Sequence, residues 1–157
     1  MNELLSSKFR LRRVDAEDPK TWALIVRMDH ECFGYEAPAL TDNSGAWWIA
    51  YSEGVPAGFC AIKQSSQSEF GGYLSRAGVL SQFRGCGLQK RMIKQRLQYA
   101  KQQGWAWVTT DTCENVASSN SLITCGFKMF KPEFPWSFAH ACYWKKFLLP
   151  TSKNEKS

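Results

Sequence analysis

Apolar and basic residues alternate from Phe9 to Val14, which predicts a half-buried first strand. Asp15, Glu17 and Asp18 then precede Pro19. Acids at the positive end and a proline in the first turn predict a helix start, and Trp22, Ile25, Val26 and Met28 carry that helix roughly to Cys32. Residues 34–45, with Pro38 and Asp42-Asn43, have turn chemistry and no clear period. Residues 46–51 read as a strand, Ser52-Glu53-Gly54 as its turn and 55–63 as its hairpin partner. After a polar run at 64–69, residues 70–80 form another strand, whose Gly71, Gly72 and Gly78 argue for bends or a close backbone approach.

Leu88, Met92, Ile93, Leu97 and Ala100 recur at helical spacing until Gly104. A strand over 105–112, a short helix over 115–125 and two closing strands, 127–130 and 138–148, complete the pattern. The order β-α-β-β-β-α-β-α-β-β predicts one α/β domain over 1–149, with helices packed on a mixed sheet. Residues 150–157 are expected to be a disordered polar tail.

Composition narrows this picture. A chain of 157 residues can bury a core as one domain. Its seven tryptophans and ten phenylalanines suit a densely packed sheet. No run approaches the roughly 20 apolar residues that span a bilayer, and residues 1–7 lack the regions of a signal peptide. A cytoplasmic location without membrane attachment is therefore expected. Six cysteines stand at 32, 60, 86, 113, 125 and 142 with no CxxC or Cys/His cluster. No metal site is expected, and most of these cysteines should be buried small hydrophobes. The net charge is +6, and Lys90, Arg91, Lys94, Arg96 and Lys101 fall in one acid-free segment, 88–104. Such a field suits a small polyphosphate as well as a nucleic acid.

Candidate chemistry centres on Gln82-Phe83-Arg84-Gly85-Cys86-Gly87, where a strand passes into a helix. Glycines there permit positive φ and a close backbone approach. The next helix's first amides lack internal partners at the positive end of its dipole, which makes a phosphate site. Arg84 adds a charge-assisted donor. The turn, with Gln82, Gly85 and Gly87, resembles the Q/R-x-x-G-x-G/A signature of the GNAT N-acetyltransferase superfamily. Asn115, eleven residues before Gly126-Phe127, is similar to the family's second motif.

The resemblance covers roughly residues 9–148. It implies a mostly antiparallel central sheet of about seven strands flanked by helices, with acetyl-CoA as cosubstrate. By the same resemblance, backbone groups at Val79, Leu80 and Ser81 would pair with the pantetheine arm. The amides of Arg84, Gly85, Cys86, Gly87, Leu88 and Gln89 would hold the pyrophosphate. Asn115 would bond the cofactor's arm or position the helix that follows it.

The family's reaction is direct attack of an amine on the thioester, which needs an oxyanion donor, a base and an acid. Many members use a tyrosine seven residues after the motif asparagine as the acid; Leu122 stands there. Their glutamate bases correspond to Tyr73 or Thr110. The replacements weighed are Ser121 and Tyr143 as acids and Asp111 as a base, beside Tyr73, Ser118, Ser119 and His140. A site without a strong base favours a weakly basic acceptor. Deprotonation at pH 7 costs about 4.6 kcal/mol for a lysine and about 1.1 kcal/mol for an α-amine. The partner implied is an amine acceptor of unspecified kind, with nucleic acid expected only as a tRNA-type substrate and a homodimer left open. Two alternatives stand beside it, an aminoacyl-tRNA-directed acetyltransferase and a non-catalytic acyl-CoA-binding module.

Overall fold

The computed structural model describes residues 8–35 and 37–148. Its elements run β1 (Phe9–Val14), α1 (Pro19–Phe33), β2 (Ala46–Ser52), β3 (Val55–Gln64), β4 (Gly71–Val79), α2 (Leu88–Gln102), β5 (Trp107–Thr112), α3 (Val116–Thr124), β6 (Lys128–Phe130) and β7 (Cys142–Phe147). The strands form one seven-stranded sheet in the order β1-β2-β3-β4-β5-β7-β6. Pairing is antiparallel for β1/β2, β2/β3, β5/β7 and β6/β7, and parallel for β4/β5. This is the α/β sheet expected. The described residues of 1–63 and 75–92 form one compact unit, and those of 64–74 and 93–157 form a second.

In the first unit, α1 begins where its sequence provides a cap. The Asp18 carboxylate accepts from the Thr21 amide at 3.0 Å, and Pro19 occupies the first turn. The buried face of α1 sets Ile25 and Met28 among Trp47, Ile49, Phe59 and Ala61 of β2 and β3. Each large apolar side chain so buried contributes about 1.5–3 kcal/mol. Trp22 meets Trp47 edge to face at 5.3 Å, and the Trp47 indole donates to the carbonyls of Asn43 and Ser44. Arg76 of β4 reaches α1 at Asp29, bonding both carboxylate oxygens and the Pro38 carbonyl. Gly78 is the close approach foreseen in this strand. A Cβ there would lie 2.7 Å from the Phe59 ring and 2.9 Å from the Cys32 sulfur.

In the second unit, Val108, Trp144, Leu122, Cys125 and Phe127 are buried. The Trp144 indole donates to the Thr112 hydroxyl, which lies 3.1 Å from that of Ser119. One polar chain thus joins β7, β5 and α3. Ile93, Leu97 and Ala100 turn the second half of α2 inward.

On α2, Lys94 and Lys101 are exposed, whereas Arg96 is only 3% exposed. Two expectations change. The last strand begins at Cys142 rather than 138, because the Ala141 amide turns back onto the Phe138 carbonyl. Of the six cysteines only Cys60 and Cys125 are buried, while Cys113 is exposed. The tail expected over 150–157 lies outside the described residues.

Candidate functional site

The glycine turn starts from β4 with a short 3-10 turn, Ser81–Phe83. Gly85 and Gly87 have φ of 77° and 80°, values an L side chain rarely adopts, which is why this turn needs glycine twice. A Cβ at Gly85 would meet nothing within 4 Å, so the backbone there is open to a ligand. The first helical bond of α2 runs from the Arg91 amide to the Gly87 carbonyl at 3.2 Å. The amides of Leu88 and Gln89 therefore precede the helix's own bonding and point out of its positive end. The donor set and the open backbone fit a pyrophosphate.

The fold already uses some of the groups expected to meet the ligand. Leu80 is hydrogen-bonded within the fold through both of its backbone groups. Its amide donates to the Ala57 carbonyl and its carbonyl accepts from the Phe83 amide, both at 2.9 Å. The Arg84 side chain, expected as a phosphate donor, turns its Nε back onto the Val79 carbonyl at 3.2 Å. Burial pushes the nearby Cys32 thiol up, opposed by the Arg84 guanidinium. Ser81 is exposed, with its hydroxyl 3.4 Å from the Gln82 side chain, and the Cys86 thiol donates weakly to the Arg84 carbonyl. The turn is braced from β1, since Phe83 packs edge to face on Phe9 at 6.0 Å and the Arg91 guanidinium donates to the Phe9 carbonyl.

Asn115 caps α3, its side chain accepting from the Ser118 amide at 3.0 Å. Of its two expected roles, positioning the helix is the one observed. On that helix the Ser121 hydroxyl donates to the Ala117 carbonyl at 3.0 Å, and Leu122 is buried. Ser121 thus behaves as a residue bonding its own helix.

Tyr73, Asp111 and Tyr143 converge in the second unit. Thr109 pairs with Tyr73, and Asp111, two residues on, shares its face. Asp111 lies opposite Tyr143 of β7, which lies opposite Phe130 of β6. Tyr73, Asp111, Tyr143 and Phe130 therefore make one row across four strands. Asp111 Oδ1 accepts from the Tyr73 hydroxyl at 2.5 Å and from the Trp136 indole at 2.9 Å. Trp136 also packs on Tyr143 at 4.6 Å, and on Tyr73 and Phe130 at 6.2 Å each. The Tyr143 hydroxyl accepts from the Ser137 amide, which leaves its own proton to donate elsewhere. Thr110 turns the other way and donates to the Leu74 carbonyl.

The step between Thr110 and Asp111 thus puts the carboxylate among aromatic rings, half-buried and held by two donors. His140 is exposed in the loop before β7 and is not on that strand. Trp136 and Phe130 were not singled out from the sequence. The available signal was an indole whose N–H needs a partner, in a proline-bounded loop beside a strand.

The profile of the acetyltransferase (GNAT) family matches residues 6–127. Many solved structures share the fold, three of which follow. yncA of Salmonella typhimurium, solved with its cofactor acetyl-CoA, is 13% identical with a TM-score of 0.69, over 92% of this chain and 96% of that one. An acetyltransferase from Streptococcus agalactiae is 16% identical with a TM-score of 0.70, over 90% and 99%. The ribosomal-protein-S18-alanine N-acetyltransferase of Escherichia coli is 11% identical with a TM-score of 0.71, over 93% and 97%. No curated protein sequence matches.

Proposed function

Because the chain belongs to the acetyltransferase (GNAT) family, we propose that it moves the acetyl group of acetyl-CoA onto a primary amine by direct attack in a ternary complex. The observation that carries the reading is the pair of positive-φ glycines, Gly85 and Gly87, leading into the first amides of α2. There the cofactor's pyrophosphate would be held by backbone donors and the helix dipole. Cys86, Leu88 and Gln89 supply amides to the same turn.

Asp111 is the proposed base. Two donors on Oδ1 fix its carboxylate and leave Oδ2 to accept from an ammonium or an attacking amine. The amine nitrogen forms a bond to the thioester carbonyl carbon, and its proton passes to the carboxylate. Collapse of the tetrahedral intermediate breaks the carbon–sulfur bond. The thiolate then takes a proton from water or from the Tyr143 hydroxyl. With a thiol pKa near that of cysteine, about 8.5, a thiolate is a tolerable leaving group at neutrality. A carboxylate is a weak base beside an amine, so a weakly basic acceptor such as an α-amine is the preferred class.

The test is a panel of amines with acetyl-CoA, following thiol release and the acetylated product. Amine-dependent release that Asp111→Asn suppresses supports the reading. Acetyl-CoA binding without release for any amine would point instead to an acyl-CoA-binding module.

A further inference from the structure

Lys8 stands in the turn just before β1, and Arg10 and Arg12 occupy alternate positions along that strand, so the two arginine side chains share one face. The β1/β2 register sets Arg10 opposite Tyr51 and Arg12 opposite Ile49. With Tyr51, Glu53 and Gly54 the three cations line a cavity of about 640 Å³. The Arg12 guanidinium stands 5.9 Å from the centre of the Tyr51 ring. None of these residues belongs to the glycine turn or to the row around Asp111, and neither of the Lys63–Asp42 and Arg76–Asp29 ion pairs uses them.

A volume in the range of about 300–1,000 Å³ suits a small ligand rather than a flat macromolecular contact. Alternate residues of a strand are about 6.8 Å apart. That is shorter than the screening length of about 8 Å at physiological ionic strength. Three cations therefore repel one another across a wall that offers one carboxylate, and a bound anion relieves that repulsion. Two guanidinium forks match phosphate oxygens in pairs. Tyr51 supplies a ring face for a planar base, and Glu53 an acceptor for sugar hydroxyls.

We propose that this cavity binds the phosphates of a nucleotide-sized ligand. The chemistry has two sources, a free nucleotide or the 3′-phosphorylated nucleotide end of coenzyme A. The strand is braced against the cofactor turn through Phe9 and Phe83, so a ligand here would sit on a wall fixed to that turn.

The experiment is calorimetric titration of the full chain with ADP, coenzyme A and dephospho-coenzyme A. It compares the parent with Arg10→Gln/Arg12→Gln and with Gly85→Asp. Both arginines are exposed, so the double variant should melt with the parent. The expected result is ADP affinity at least tenfold weaker in the double variant and unchanged in Gly85→Asp. If the double variant also weakens coenzyme A but not dephospho-coenzyme A, the cofactor's 3′-phosphate is the occupant. If coenzyme A binding is unchanged, the occupant is a free nucleotide. The proposal fails if the double variant alters the binding of neither ADP nor coenzyme A. The basic row would then serve only to keep other strands off the sheet edge. No acetyl transfer is needed for any arm, so failure here is separate from failure of the proposed activity.

Discussion

Tyr73 and Trp136 donate to the same oxygen of Asp111, at 2.5 and 2.9 Å. A carboxylate held this way keeps its direction. Asp111→Asn is expected to lower kcat by about 10²–10⁴-fold, the range for losing a general base. Acetyl-CoA affinity should stay as in the parent. Tyr73→Phe removes one of the two bonds that orient this carboxylate, so kcat should fall while acetyl-CoA affinity stays as in the parent. A Tyr73→Phe variant as active as the parent would show that this bond does not orient the base.

Ser121, Tyr143 and Leu122 test the other end of the proton path. The Ser121 hydroxyl serves its own helix, so Ser121→Ala should leave kcat nearly unchanged. If water protonates the thiolate, Tyr143→Phe should lower kcat by less than about 10²-fold. A larger fall with cofactor affinity intact would name Tyr143 as the acid. Leu122→Tyr restores the family's usual residue, but Leu122 is 4% exposed. Overpacking there should reduce stability by about 1–3 kcal/mol, read from urea denaturation.

The glycine turn makes its own prediction. Gly85→Asp and Gly87→Glu add negative charge where a pyrophosphate would sit, at positions of positive φ. Acetyl-CoA should raise the melting temperature of the parent and not that of either variant. A full ligand-induced shift in both would remove the turn from the site.

Arg76 and Asp29 make two parallel bonds, with the Asp29 side chain 8% exposed. Arg76→Ala strands that carboxylate and should destabilise the fold by about 3–5 kcal/mol in denaturant titration. Arg76→Ala with Asp29→Leu should recover much of the loss. A single variant as stable as the parent would show that water reaches Asp29.

Asp42 gives a pH signature. Bonds from the Lys63 side chain and from Ser44 hold its carboxyl well below the usual carboxylate range. A group depressed in the folded state stabilises it above the unfolded value, near 3.9, and that stability is lost as pH falls through the folded value. The gap in stability between the parent and Asp42→Asn should therefore be constant from neutral pH to about pH 5 and narrow below about pH 4. Lys63 and Asp42 are both partly exposed, so the gap should be small and shrink with salt. A gap independent of pH would mean that the substituted amide keeps the same bonds.

Element order was legible because each element carries its own period and its own stops. Pro19 and Asp18 open α1, and Asn115 opens α3. The glycine turn was legible for the same reason, since positive φ at Gly85 and Gly87 is a local requirement. What the sequence could not display was partnership between distant segments. Asp111 looked displaced by one position from a family base, and only the register with Tyr143 and the loop tryptophan gave it a setting. A motif likewise cannot reveal that the Leu80 backbone and the Arg84 Nε already have partners within the fold.

The brace between β1 and the cofactor turn also bears on how the molecule comes into being. Phe9 and Arg91 lie 82 residues apart along the chain, yet the Arg91 guanidinium is bonded to the Phe9 carbonyl. Closing so long a loop is entropically expensive and delays such contacts during folding. On the ribosome, β1 emerges long before the segment it steadies, and must wait for α2 before the turn acquires its final shape. Competence to hold a ligand is then a late property of the nascent chain, and fragments ending before α2 should have none.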